Sequence, residues 1–265
     1  MKSLIAGDWH GSVQAAKGCI EQAAEEGCTR VIQVGDFGIP FYPNSDFLER
    51  VSDLGVKHDV EVFFLDGNHE NFDTVEKWVN TYKRDPNGLI PILPNLTYMP
   101  RGAVWKDEDG LVYAVMGGAA SIDRDWRTFG FDYFPQELIS PGDVFRLFNK
   151  ASDFENIDVL LTHDCSDRTD WGFALVPDSQ SQMNRRVIDE ILDYLKPDFH
   201  FHGHMHKRYE WVLNGITKVY GLNLENERHS RGVLEADAKG VTFEYYPYKV
   251  RPTIDMVQRI GYTLG

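Results

Sequence analysis

The chain has 265 residues, with a hydrophobic share of 42% and a charged share of 26%, ordinary values for a globular protein that can bury one substantial core. No apolar run approaches the roughly 20 residues that cross a bilayer, and a net charge of −14 with scattered Lys and Arg disfavours long nucleic acid, which is gripped through clustered basic residues. Three cysteines without a C-x-x-C pair, and an N-terminal apolar segment too short for a signal peptide, predict a reducing cytoplasm and no membrane association. Cys19 and Cys28 read as small packed residues.

Residues 3–7 read as a strand. A helix over 12–26 follows, with Val13, Ala16, Ile20, Ala23 and Ala24 at helical spacing, Ser12 placed to cap it and Gly27 to end it. Next come a strand over 30–34, a Pro/Gly loop over 38–44, a helix over 46–57 opened by Ser45, a strand over 60–65 and a helix near 71–83. This alternation predicts a parallel sheet with right-handed crossovers. Residues 96–118 look antiparallel, with a hairpin turn over 106–110. The stretch 117–139 has no period, and a loop of that length in a compact domain predicts either function or disorder. A helix then starts at Ser140-Pro141-Gly142-Asp143, with proline in the first helical position. A strand over 157–162, a helix over 179–195 and a strand over 198–202 restore the α/β pattern, and 209–247 reads as four antiparallel strands. The expectation is one domain over 1–265, α/β in class, built as a sandwich of two sheets with helices outside. The tail 248–265 carries no assignment.

Five short clusters stand at the ends of predicted strands: G-D-W-H-G at 7–11, G-D-F-G at 35–38, G-N-H-E at 67–70, T-H-D at 162–164 and G-H-M-H at 203–206. They hold Asp8, His10, Asp36, Asn68, His163, His204 and His206, all of which ligate divalent metals through oxygen or nitrogen. Asp8 and His10 alternate on an extended segment and can reach one ion together. Asp36 has two carboxylate oxygens and can bridge two. Mixed imidazole, carboxylate and amide ligation suits Mn²⁺, Fe or Zn²⁺ better than Ca²⁺, and it lacks the thiolates of structural zinc.

The order and content of these clusters resemble the calcineurin-like metallophosphoesterases over roughly residues 4–206, most of all their short stand-alone bacterial or phage members. The resemblance implies a four-layer α/β/β/α sandwich and two divalent ions, Mn²⁺ foremost, with Fe or Zn²⁺ as alternatives. It places one ion on Asp8, His10, Asp36 and His206 and the other on Asp36, Asn68, His163 and His204. His69 matches the family's catalytic histidine, which contacts substrate. Two such ions would share a water, lower its pKa and offset the charge that spreads over the phosphate oxygens. A cationic His69 would serve the leaving oxygen. The expected substrate is a small phosphodiester, such as a cyclic nucleotide, or a phosphomonoester. A protein phosphatase or a nuclease of the same family is an alternative, as is a metal-binding scaffold without activity.

Two departures weigh against a phosphoprotein phosphatase. Many phosphatase members carry G-D-x-V-D-R-G, where this chain has Gly35-Asp36-Phe37-Gly38-Ile39-Pro40, and Asp66 stands where an arginine often precedes G-N-H-E. Arg124 and Arg127, within the possible covering loop 119–135, are candidates to clamp substrate phosphate, with Arg124 favoured and Trp126 or Phe129 stacking on a base; salt bridges to Asp123, Asp125 or Asp132 are the alternative. His200 and His202 are expected to pack or support rather than ligate, Asp164 could orient an imidazole, and Arg185-Arg186 is expected on the solvent face of its helix. Oligomeric state has no signature in the sequence.

Overall fold

Along β1 (Lys2–Ala6) the side chains of Leu4 and Ala6 pack among helical residues such as Ala16 and Ile20, while Ile5 between them packs with Tyr113, Val115 and Leu161 of a second sheet. The period of two sends alternate residues to opposite faces, and both faces are buried, as expected of parallel strands covered on each side. The computed structural model describes residues 2–42, 44–169, 178–225 and 227–246.

Further strands are β2 (Arg30–Gln33), β3 (Glu61–Phe64), β4 (Ile90–Leu93), β5 (Leu96–Tyr98), β6 (Val104–Lys106), β7 (Val112–Met116), β8 (Val159–Thr162), β9 (Phe199–His202), β10 (Tyr209–Leu213), β11 (Thr217–Gly221), β12 (Arg231–Asp237) and β13 (Gly240–Tyr245). They form one seven-stranded sheet, β13-β12-β1-β2-β3-β5-β4, and one six-stranded sheet, β10-β11-β9-β8-β7-β6. Helices α1 (Val13–Glu25), α2 (Phe47–His58) and α3 (Phe72–Thr81) cover the outer face of the first sheet, and α4 (Pro141–Ala151) and α5 (Ser179–Leu195) cover that of the second. The layers run helix, sheet, sheet, helix, and both sheets are mixed.

Local chemistry sets the helix starts. Ser12 accepts the Ala15 N–H at 3.2 Å, Ser140 and Asp143 form a capping box with Pro141 at the first helical position, and the Asp178 carboxylate accepts the Ser181 N–H at 2.7 Å. Helix α2 begins one residue later than expected: Asp46 is its N-cap and makes no side-chain cap bond, while the Ser45 hydroxyl accepts the Phe47 N–H at 3.4 Å.

Two expectations about strands are corrected. Residues 209–247 are not one antiparallel set. They form two hairpins in different sheets, β10–β11 and β12–β13, with β11 parallel to β9 and β12 antiparallel to β1. Local turn signals at Asn214-Gly215 and Lys239-Gly240 specify each hairpin but carry no information about its neighbour. Similarly, only β6–β7 is an antiparallel hairpin in 96–118; β5 runs parallel to β3 and pairs antiparallel with β4, a strand not expected from the sequence. Pro91 interrupts β4, which occupies the sheet edge where a proline is tolerated. The tail 248–265 lies outside the described residues.

Candidate metal centre

The loops that follow β1, β2, β3, β8 and β9 meet at one edge of the two sheets. They are knitted by backbone hydrogen bonds: Trp9 and His10 donate to the Asp36 carbonyl at 3.0 and 2.8 Å, Gly11 to Phe37 at 3.0 Å, and Gly203 to His163 at 3.2 Å. The Glu70 carboxylate, fully buried, accepts the N–H groups of Phe37 at 2.7 Å and Ile39 at 2.6 Å. The glutamate of G-N-H-E therefore holds the G-D-F-G loop in place.

The glycines of the clusters make room for the ligands. A Cβ on Gly203 would lie 2.0 Å from Asp8 Oδ1, and one on Gly35, whose φ is +92°, would lie 2.3 Å from the His163 ring. His10, Asp36, His204 and His206 all adopt positive φ, of 46°, 51°, 63° and 49°. Non-glycine residues in this region cost of order 1–3 kcal/mol each and gather at functional sites.

Donor atoms of Asp8, His10, Asp36 and His206 lie within 4.8 Å of one another, and so do those of Asp36, His163 and His204. Asn68 joins the second group, its Oδ1 being 3.2 Å from His163 Nε2. The carboxylate of Asp36 spans both groups: Oδ2 is 3.3 Å from His10 Nε2 and Oδ1 is 3.2 Å from His163 Nε2. Asp8 Oδ2 lies 2.9 Å from His206 Nε2, and the His204 N–H reaches Asp8 Oδ1 at 3.1 Å. Partners on the other ring nitrogens turn Nε2 towards the centre: His163 Nδ1 is 2.9 Å from the Val34 carbonyl, and His10 Nδ1 is 3.0 Å from Glu225 Oε2.

This donor set suits divalent cations. Burial opposes charge on His163 and His10, yet Asp36 and Asp8 outweigh it and lift the two imidazoles to about 10 and about 9. Burial likewise opposes charge on Asp36, but His163 and His10 hold its carboxyl well below the usual carboxylate range. The carboxylates thus draw positive charge to this spot, which bound ions supply in competition with protons.

His69 sits at the rim. Its Nε2 is 4.0 Å from Asp36 Oδ2 and 2.7 Å from Arg127 Nη2. Burial lowers its pKa, and Arg127 and His10 add to that against the pull of Asp36. A guanidinium can only donate, so Nε2 accepts and His69 is neutral in this arrangement, not the cation expected from the sequence. The two loop arginines have different partners. Arg127 reaches His69 while bridging to Asp123 at 2.8 Å, whereas Arg124 is tied to Asp178 at 2.6 Å and to the Ser121 carbonyl at 2.9 Å. Trp126 and Phe129 lie on the surface, 91% and 73% exposed.

Other expectations resolve in different ways. His200 bonds Thr162 Oγ1 at 2.8 Å and His202 bonds Tyr209, so neither enters the donor groups. The carboxylate oxygens of Asp164 accept the Cys165 N–H and the Asn184 amide, both at 2.8 Å. Arg185 is buried and bonds Ser181 Oγ at 2.6 Å, and only Arg186 faces solvent. Asp66 is fully buried between Tyr98 and Arg101, at 2.6 and 2.7 Å, so its position is structural here. Glu225, Glu70, Ser121 and Glu137 contribute without having been foreseen. Glu70 had a signal inside its own cluster; Glu225 had none.

A two-sheet sandwich with two groups of candidate ligands at one strand edge and a carboxylate shared between them has the make-up of a metal centre. The sequence matches the calcineurin-like phosphoesterases over residues 1–208, and the chain belongs to that family of metal-dependent hydrolases acting on phosphoesters. A search of curated proteins finds no match. Among solved structures, TT1561 of Thermus thermophilus is similar with a TM-score of 0.59 at 11% identity, covering 92% of this chain and 98% of that one. A dimetal phosphatase from Danio rerio is similar with a TM-score of 0.59 at 11% identity, covering 93% and 99%. GAP50, described as the anchor in the inner membrane complex of Plasmodium, is similar with a TM-score of 0.56 at 13% identity, covering 96% and 86%. At these identities the likeness is one of fold. Among the described residues no helix is long and apolar enough to cross a membrane.

Proposed function

We propose that the protein hydrolyses a small phosphoester at two divalent ions, Mn²⁺ foremost, held by Asp8, His10, Asp36 and His206 on one side and by Asp36, Asn68, His163 and His204 on the other. The observation that carries this reading is the Asp36 carboxylate, whose two oxygens face two different imidazoles at 3.3 and 3.2 Å. Bound ions would supply an acidified water as nucleophile and positive charge for the phosphate oxygens. Arg127 would bind one phosphate oxygen with the N–H it now gives to His69. An anion seated there raises the proton affinity of His69, which then donates to the leaving oxygen.

This substrate class is supported by the neighbouring cleft of about 250 Å³, lined by residues that include His10, Ile39, Pro40, Phe41, Tyr42, Phe47 and His69. It shares two histidines with the centre, and its remaining walls are largely apolar. A flat, uncharged group attached to a phosphodiester suits it better than a second phosphate or a phosphopeptide. The fold also occurs in an anchor protein, but here every ligand position is filled, which favours turnover.

The test is a matched panel of cyclic, linear and monoester phosphates with Mn²⁺, Zn²⁺ or chelator. Metal-dependent diester hydrolysis is expected, with His69→Ala keeping its metal and losing about 10²–10⁴-fold on poor leaving groups. Bound metal with no turnover of any ester would end the proposal.

A further inference from the structure

Three buried residues form a chain behind the centre. Asn68 Nδ2 donates to Ser121 Oγ at 3.0 Å, Ser121 Oγ donates to Glu137 Oε2 at 2.8 Å, and Glu137 Oε1 accepts the Ser121 N–H at 2.7 Å. Asn68, Ser121 and Glu137 are 4%, 1% and 1% exposed. Ser121 closes the segment that runs on from β7, and Glu137 ends the short 3₁₀ turn Pro135–Glu137. Glu137 has no part in the reaction proposed above, and both of its oxygens are given to a single serine.

With Glu137 ionised, the direction of these bonds is forced. A serine hydroxyl has one proton, and a carboxylate can only accept, so that proton goes to Glu137. Ser121 Oγ can then only accept from Asn68, which must present its NH₂ to the serine. Its carbonyl oxygen is left facing His163 Nε2, at 3.2 Å, where a cation is expected. The reversed amide would aim two N–H groups at a cation. A neutral amide has no charge of its own to prevent that.

We propose that Glu137 and Ser121 are positioning residues that lock the Asn68 amide with its oxygen towards the ion shared by Asp36, His163 and His204. The inference rests on the two-ion reading. Burial lifts the Glu137 carboxyl to about 7, against the Ser121 donors and Arg127, so measurements at pH 8 keep it ionised. In Glu137→Gln the new NH₂ donates to Ser121 Oγ, the hydroxyl proton is released towards Asn68, and the amide turns round. Ser121→Ala removes the acceptor altogether.

The experiment is a Mn²⁺ titration followed by calorimetry and electron paramagnetic resonance. Wild type is expected to take up two equivalents. Glu137→Gln and Ser121→Ala each weaken one equivalent by about 10–100-fold and leave the other unchanged. A second background separates orientation from mere packing. In Asn68→Asp there is no amide to turn, and the carboxylate faces a serine whose proton is committed elsewhere. Adding Glu137→Gln frees that proton for Asp, so the substitution that weakens binding in wild type strengthens it here. Unchanged affinities in Glu137→Gln, or a weakening of the same sign in both backgrounds, would overturn the lock while leaving the two ions in place. Fewer than two equivalents in wild type would remove the two-ion reading and this inference with it.

Discussion

The two donor groups share Asp36 but sit in different surroundings. Around Asn68 and His163 the site is part of the interior: the His163 side chain is 0% exposed and its Nδ1 is fixed by the Val34 carbonyl. Around His10 and His206 it faces solvent, with side chains 23% and 42% exposed. An interior ligand is held by packing on every side, whereas a rim ligand rests on fewer contacts, such as Glu225 for His10 and Asp8 for His206. The half around His163 is buried, and the half around His10 and His206 is the one that opens to solvent.

The largest effect tests what the halves share. Asp36→Asn keeps the side-chain shape and an oxygen to accept the N–H groups of Asn68 and His69, now at 2.9 and 2.8 Å, but removes the charge. Loss of both ions is expected, with diester hydrolysis falling to the chelator-treated level. Retention of one full-affinity ion by elemental analysis would separate the halves. Next, His163→Ala and His206→Ala should differ. The first removes a buried imidazole and lowers stability by about 1–3 kcal/mol; the second stays within about 0.5 kcal/mol while weakening the open ion. Equal melting shifts in metal-free protein would erase the contrast. Arg127→Ala should raise KM about tenfold with metal content unchanged, from loss of a charged hydrogen bond of about 1.5 kcal/mol. Arg124→Ala should do less, because Arg124 is committed to Asp178. A last effect lies beneath both halves. Burial and neighbouring His202 hold His200 well below the usual histidine range, so the unfolded chain takes up a proton there below about pH 6.5 and the folded one does not. Stability should fall with acid by about 1.4 kcal/mol per pH unit for this group, a slope that His200→Gln removes in urea titrations at pH 5–6.5.

What the sequence made legible follows the same division. Candidate ligands at strand ends, such as Asp8 after Ile5-Ala6 and His163 after Leu161-Thr162, are local patterns, and their gathering at one edge was readable. So were the helix caps at Ser12 and Ser140. Partnerships between distant segments were not. Glu225 meets His10 across 215 positions and Glu137 meets Ser121 through a turn without periodicity. The sheet assignments of β11 and β12 failed for that reason too, since pairing partners are chosen by the packed whole. The different partners of Arg127 and Arg124 were equally invisible, because both sit on one unpatterned loop.

The left-handed backbone at His10, Asp36, His204 and His206 carries a consequence for engineering. Asn, Asp and His enter that region with far less penalty than β-branched residues, so any library meant to shift metal preference has a short alphabet at these four positions. Isoleucine, valine or threonine there would be rejected by the main chain before coordination chemistry is consulted. Variety is better sought at Asn68 or at Phe41, Tyr42 and Phe47 of the cleft, none of which has a positive φ.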